Sequence, residues 1–424
     1  MKFAFVASRY GADVASGAEH ACRLLAEQVS TRHDVDVLTT CARDARTWRN
    51  EYSEGVDRVR GALVRRFAVT QTADPQSLAQ FGERLRATPG VRSDELEWVR
   101  RAGPWSPGLI EHIKRQHKSY DALVFFSILS PLTVHGMQAA AERSILVPYL
   151  QLAPPLRFGL CAELLTMARA VALMSAAERH LLRRYLRVVP AHEDVLGIGI
   201  DAPPEQSYPR HQQDPADAIV DDEAVGHDVE PVEDESYLAG RGVPFRRRHR
   251  LYGRFALYGG RVEPDNGCEE MLEYFDGFAR DDGDTDLVLM GVKMMKLPED
   301  PWLRLAGVLP DRDRMVAFEA ADVTIAPAAD DLLAQPVLES LAVGTPVLAS
   351  ARNESAVDHC RGANGGLYYA NRDEFVAALR MLMASKRLRE QLGENGRAYV
   401  RQNYRWDAVL ARFDRLVARV RNRP

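Results

Sequence analysis

Two α/β domains, each built on a doubly wound parallel sheet, are what this sequence predicts. Three observations lead there: a length of 424 residues, short apolar runs alternating with helix-periodic stretches, and one break in that rhythm at an acidic segment. At about 150 residues per domain the length allows two or three domains, each large enough to bury a core. Lys2 to Ser8 is an apolar run of strand length, too short for a signal peptide. Gly17 to Val29 repeats Ala18, Ala21, Cys22, Leu25 and Val29 at helical spacing. Further strands follow at Asp34 to Thr40, Leu63 to Val69, Ala122 to Phe126, Ser144 to Val147, Ala170 to Met174 and Val195 to Ile198. Strands separated by helices imply right-handed βαβ crossovers.

The rhythm stops at His211 to Gly240, which holds ten acidic residues and no Lys or Arg. Five arginines follow between Arg241 and Arg250. Either the segment clamps the domains in a regulated way or, as composition favours, it is a solvated loop kept soluble by its charges. From Arg254 the alternation resumes, with strands at Phe255 to Tyr258, Leu287 to Met290, Leu303 to Val308, Val323 to Ile325, Val347 to Ala349 and Leu367 to Tyr369. Two helices close the chain, Lys386 to Gln402 and Trp406 to Val420. The expected organisation is an N-terminal domain over 1–200, a linker over 201–253 with the insertion 211–240, a C-terminal domain over 254–404 and a terminal helix over 405–424. Two such sheets joined by a linker put a ligand crevice between the carboxyl ends of their strands.

Composition narrows the function. With 46% hydrophobic and 27% charged residues the chain is globular, and its net charge is −5. Subtracting the ten insertion acids from 60 leaves 50 against 55 basic residues, so the acidity belongs to the insertion and the rest is mildly basic. Only six cations are lysines against 49 arginines, a bias that gives no support to nucleic-acid binding. Five scattered cysteines with no CxxC pair fit neither a disulfide framework nor a zinc site and favour a reducing cytoplasm. No apolar run reaches the roughly 18 residues of a membrane span, and no metal-ligand cluster is evident.

Three loops carry candidate chemistry. Ser8 to His20 leads from a strand into a helix through Gly11 and Gly17; amides there can hold an anionic or hydroxyl-rich ligand, or the glycines can serve only a turn. Leu257 to Gly267 places Arg261 where a strand's carboxyl end meets a helix amino terminus, a geometry suited to a diphosphate and equally to a surface arginine in a βα turn. Ile325 to Val347 carries Asp331 in a loop, Pro336 in a first helical turn, Glu339 one turn inside and Gly344 past the end. The amides of Leu332, Leu333, Ala334 and Gln335 would face a phosphate, and Glu339 could accept both hydroxyls of a ribose diol.

Together with Val37 to Asp44, Trp48 to Tyr52 and Gly344-Thr345-Pro346-Val347, these segments make the whole chain resemble a retaining nucleotide-sugar glycosyltransferase of family 4. The resemblance implies the GT-B fold, two Rossmann-like domains facing across a cleft, with the terminal helix packed back on the first. It implies that Gly17 approaches the transferred sugar or acceptor, that Gly260 and Arg261 meet the donor diphosphate, and that Glu339 binds the ribose. Asp331 takes the place of the first glutamate of the E-x7-E motif. The base is expected on main chain near Gly291 to Lys293 and Leu305 to Val308. Three departures stand out: Asn266 replaces a diphosphate lysine, Gln151 replaces a histidine, and Asp331 is one methylene short. Gln151 cannot take a proton near neutral pH. Lys293 and Lys296 are candidates to restore charge, or are ordinary exposed cations.

The expected protein is therefore a cytoplasmic, metal-independent enzyme without a bound cofactor. It would use a GDP- or UDP-sugar as co-substrate, with Arg261, Asp331 and Gln151 nearest the chemistry. A small-molecule acceptor of secondary-metabolite or antibiotic biosynthesis, with a sulfur nucleophile as one option, fits the missing base because thiols attack without strong base help. A polysaccharide or lipid-linked glycan acceptor and a catalytically silent nucleotide-binding homologue are the alternatives. A homo-oligomer is compatible with the sequence.

Overall fold

A computed structural model describes residues 1–14, 17–72, 74–87, 91–150, 154–201 and 242–421. The acidic stretch 211–240 lies outside the described residues. The chain divides into two compact units, one of Met1–Gly199, Asp330–Leu333 and Asn403–Pro424, the other of Ile200–Ala329 and Ala334–Gln402.

The first unit comprises β1 (Lys2–Val6), α1 (Gly17–Ser30), β2 (Asp34–Thr40), β3 (Gly55–Val59), β4 (Ala62–Phe67), α2 (Pro75–Ala87), α3 (Arg92–Ala102), α4 (Pro107–Gln116), β5 (Ala122–Phe126), α5 (Pro131–Ala140), β6 (Ser144–Val147), α6 (Gly159–Met167), β7 (Ala170–Leu173), α7 (Ala176–Leu181) and β8 (Glu193–Val195). Its sheet runs β3-β4-β2-β1-β5-β6-β7-β8. β5, β6 and β7 are buried at every residue, as expected of continuous apolar strands covered by helices on both faces. The sheet is not wholly parallel: β3 pairs antiparallel with β4 at the edge. A two-residue turn at Arg60 (φ 46) and Gly61 (φ 92) joins them. β3 has no apolar face to bury and is almost entirely exposed, so hydrophobic periodicity could not reveal it.

The second unit holds α8 (Val243–His249), β9 (Arg254–Gly259), α9 (Cys268–Ala279), β10 (Thr285–Met290), β11 (Leu303–Gly307), α10 (Asp311–Ala320), β12 (Val323–Ala326), α11 (Gln335–Val343), β13 (Val347–Ser350), α12 (Glu354–Ala363), β14 (Gly366–Tyr369), α13 (Arg372–Ala384) and α14 (Lys386–Asn403). The strand order β11-β10-β9-β12-β13-β14 is wholly parallel. It reverses direction at the β9–β12 boundary, where doubly wound sheets open a crevice beyond their carboxyl ends. The arginine-rich stretch expected to be linker is instead the short helix α8. Phe245 and Arg246 are buried there, and Arg246 Nη2 reaches Asp322 Oδ2 at 3.3 Å. Asp322 also takes Arg389 Nη2 at 3.2 Å and the Phe255 amide at 3.0 Å, so one carboxylate joins α8, α14 and the start of β9.

The last helix, α15 (Trp406–Arg421), belongs to the first unit. It buries Val409, Leu410, Phe413, Leu416, Val417 and Val420, with Phe413 edge-on to Phe3 at 5.6 Å. Arg412 Nε donates to the Leu196 carbonyl at 3.0 Å. Among the described residues no helix is long and apolar enough to cross a membrane.

A buried histidine makes the second unit acid-sensitive. His359 on α12 lies 3.1 Å through Nδ1 from the Tyr399 hydroxyl of α14, and burial pulls its pKa down to about 4. From its ordinary value near 6.5 down to about 4, the unfolded chain binds a proton that the folded chain refuses. Stability is therefore full above that ordinary value and falls with pH through the window. His359→Gln should lose roughly 2–3 kcal/mol less than the parent between pH 7 and pH 4.5. Urea titrations at the two pH values check this; parallel losses would contradict it.

Candidate functional site

The loops leaving β9, β10 and β12 are built as one surface. The Gly260 amide donates to Met290 O at 2.9 Å, Val262 N to Val292 O at 2.9 Å, and Met294 N to Val262 O at 2.9 Å, which zips the β9 loop to the β10 loop. Gly291 (φ 143) makes that approach possible, since a Cβ there would stand 1.8 Å from Gly260 O. Gly267 (φ 73) seats the start of α9 on the β12 loop; its Cβ would lie 2.7 Å from Pro327 O. Asn353 Nδ2 fixes the same β12 loop by donating to Ala328 O at 2.9 Å.

Arg261 rides on this platform at the carboxyl end of β9. Its carbonyl accepts from the Tyr258 hydroxyl at 2.7 Å and from Asn266 Nδ2 at 2.9 Å. Asn266, expected from the sequence to replace a diphosphate lysine, thus spends its amide on the backbone that carries Arg261. The Arg261 side chain is 51% exposed, with Nη2 2.7 Å from Glu263 Oε1. Lys293 is exposed on the neighbouring β10 loop, its backbone paired with Val262. Among the described residues no carboxylate pairs with it.

Glu339 lies on α11, which begins after Ala334 in a left-handed conformation (φ 44), carries proline in its first turn and ends at Gly344. Ala334 O receives the amides of Val337 at 3.0 Å and Leu338 at 3.1 Å, the first turn of the helix. Leu333, Ala334 and Gln335 run into that helix start, and Asp331 lies in the preceding loop. Glu339 is only 7% exposed and both carboxylate oxygens are engaged. Gln335 Nε2 donates to Oε1 at 2.8 Å, and Arg314 Nη2 from α10 pairs with Oε2. Sequence reasoning missed Arg314: it lies in a charged helix start, Asp311-Arg312-Asp313-Arg314, with nothing to separate it from its neighbours.

In the first unit, two distant sequence segments converge on Asp13. Arg43 Nε approaches Asp13 Oδ2 at 2.5 Å and the Tyr52 hydroxyl donates to Oδ1 at 2.8 Å. Arg66 stacks on the Tyr52 ring at 4.0 Å and donates to Tyr10 O at 2.8 Å, so the loop after β1 is tied to β4. Gly17 (φ 77) opens α1. The separation of Asp13, Arg43 and Tyr52 along the chain hides this contact from the sequence.

Gln151 lies outside the described residues. The backbone leading to it is held by Glu178, a wholly buried side chain at the start of α7. Its oxygens accept from Leu150 N at 2.7 Å and Met174 N at 2.6 Å, while Ser175 Oγ caps the helix by accepting from Glu178 N at 3.1 Å. Burial pushes this carboxyl up to about 7, against the pull of the amides it accepts. No sequence motif marked Glu178. Among the described residues there is no group of three or more side chains suited to hold a metal.

Comparison with known proteins agrees with this architecture. Residues 245–399 match the family model described as Glycosyl transferases group 1. The MMP alpha-(1->4)-mannosyltransferase of Mycolicibacterium hassiacum is 29% identical over 120 residues, 26% of this chain and 29% of that protein. The match thus spans less than a third of the curated relative. Sucrose-phosphate synthase from Thermosynechococcus elongatus superposes with a TM-score of 0.64 at 16% identity, over 99% of this chain and 98% of that one. Anabaena HepE, in its complex with UDP and glucose, gives a TM-score of 0.67 at 12% identity over 99% of both chains. The fold is that of the GT-B glycosyltransferases, and the segment matched by the family model holds Arg261, Lys293, Arg314 and Glu339.

Proposed function

We propose that the chain is a retaining nucleotide-sugar glycosyltransferase of the family 4 type, with the donor on the second unit. The observation that carries this reading is the joined β9, β10 and β12 surface bearing Arg261 and the buried Glu339 within residues 245–399. Arg261 and the α11 amides would hold the diphosphate, Glu339 the ribose and the β10 loop the base. UDP or GDP is the expected nucleotide; UDP is supported by the name of the Anabaena complex, and a mannosyl group as the transferred sugar by that of the mannosyltransferase. No metal or bound cofactor enters this reading.

In the transfer, the bond from the anomeric carbon to the β-phosphate oxygen breaks. The acceptor atom bonds to the same face, and the acceptor proton passes to the departing diphosphate. Positioning and stabilisation of that leaving group supply the rate, and Asp331 would steer sugar hydroxyls. With Gln151 unable to act as base, a small acceptor with an acidic or sulfur nucleophile is favoured, as in secondary-metabolite or antibiotic assembly. A polysaccharide or lipid-linked acceptor is the second reading, favoured by the mannosyltransferase match. The proposed setting is the cytoplasm.

Calorimetric titration of the full chain with UDP, GDP, ADP and TDP tests the donor half. At least one should bind at one site per chain, and Glu339→Ala should weaken it by about 1–3 kcal/mol, the range for losing a charge-assisted hydrogen bond. Failure of all four to bind would remove the reading.

A further inference from the structure

We infer that Arg314 is a positioning residue that makes the site select ribonucleotides over 2′-deoxyribonucleotides. The inference rests on the donor-site reading and deepens it by naming the sugar of the nucleotide.

A carboxylate has two oxygens and about four lone-pair positions. On Glu339, Gln335 Nε2 occupies one position of Oε1 and Arg314 Nη2 one position of Oε2. Each oxygen keeps room for one more donor, which is what the two hydroxyls of a ribose diol supply. A 2′-deoxyribose brings one hydroxyl fewer and leaves one oxygen of this carboxylate, 9% exposed, with a single donor. Sites that hydrogen-bond a substrate hydroxyl discriminate strongly against the analogue lacking it, because their own buried groups stay unpaired.

Arg314 and Gln335 do different parts of this. Gln335 sits four residues before Glu339 on the same helix, so it moves with the carboxylate. Arg314 comes from α10 and fixes the carboxylate against a second element. Its guanidinium, 32% exposed beside a 9% exposed carboxylate, forms a charge-assisted bond that locks the rotamer. It also cancels the Glu339 charge, which would otherwise repel the diphosphate of the same nucleotide. That second effect matters here, since Asn266 brings no charge and Arg261 already has Glu263 beside it.

The test titrates the full-length parent, Arg314→Ala and Arg314→Lys with UDP, 2′-deoxy-UDP, GDP and 2′-deoxy-GDP by calorimetry. The parent should prefer the ribonucleotide by about tenfold or more, Arg314→Ala should bind both forms within about twofold, and Arg314→Lys should fall between. A role confined to joining α10 and α11 would lower stability while leaving that preference intact. Arg314→Ala with the full preference overturns the inference, and so does a parent that binds both forms equally. Should Arg314→Ala fail to fold by circular dichroism, Arg314→Lys decides: an unchanged preference overturns the inference. A parent that binds no nucleotide removes the donor-site reading as well, an outcome distinct from binding without discrimination.

Discussion

Gly291→Ala is expected to lose nucleotide binding and to melt several degrees below the parent. The methyl group would stand 1.8 Å from the Gly260 carbonyl oxygen, a backbone atom that no rotamer change can move aside. The residue also sits at φ 143, a region L side chains rarely adopt. Backbone strain of this kind costs about 1–3 kcal/mol and overpacking about as much again. The sum, roughly 3 kcal/mol or more, corresponds to a fall in Tm of about 6–12 °C. Relief requires the β9 and β10 loops to separate, which breaks the three backbone hydrogen bonds that carry Arg261 and Lys293. Gly283→Ala is the control, since nothing lies within 4 Å of a Cβ there. Thermal melts with and without nucleotide check both effects. A Gly291→Ala protein that melts and binds like the parent would contradict the joined-loop platform.

Arg261→Ala is expected to lower turnover by about a hundredfold or more, the scale for removing one preorganised donor from a developing charge. Nucleotide affinity should fall less, by about 1–3 kcal/mol, because ribose and base contacts remain. The Arg261 side chain is half exposed and its pair with Glu263 lies at the surface, so folding stability should hardly change. Steady-state kinetics with saturating donor, alongside a urea titration, separates these outcomes. Turnover within about threefold of the parent would mean that another cation holds the diphosphate. The Arg261→Ala, Lys293→Ala double variant would then identify Lys293 as its source.

How much of this was legible beforehand depends on what each residue does. β5 and β6 fall where continuous apolar runs put them, Ala122–Phe126 and Ser144–Val147, since fully buried parallel strands leave no polar positions to confuse the reading. Pro336 and Gly344 bracket α11 as their backbone preferences require. β3 stayed hidden because an exposed edge strand carries no apolar alternation, and α8 because four consecutive basic residues outweigh the buried Phe245 in any local reading. Glu339 and Arg261 stood out through neighbouring glycines and prolines. Their partners did not: Arg314 lies 25 residues before Glu339, and Asp13 lies 39 residues before Tyr52. Asn266 shows the same limit from another side. As a missing lysine it reads as a loss, whereas in the fold its amide secures the turn that presents Arg261.

The most direct measurement is turnover by the pure chain with UDP- or GDP-sugars and a panel of hydroxyl and thiol acceptors, followed by proton NMR. The account predicts that nucleoside diphosphate appears one for one with a glycosylated product whose anomeric coupling matches that of the donor. Nucleotide binding without product across the panel, or a product of inverted anomeric configuration, would contradict it.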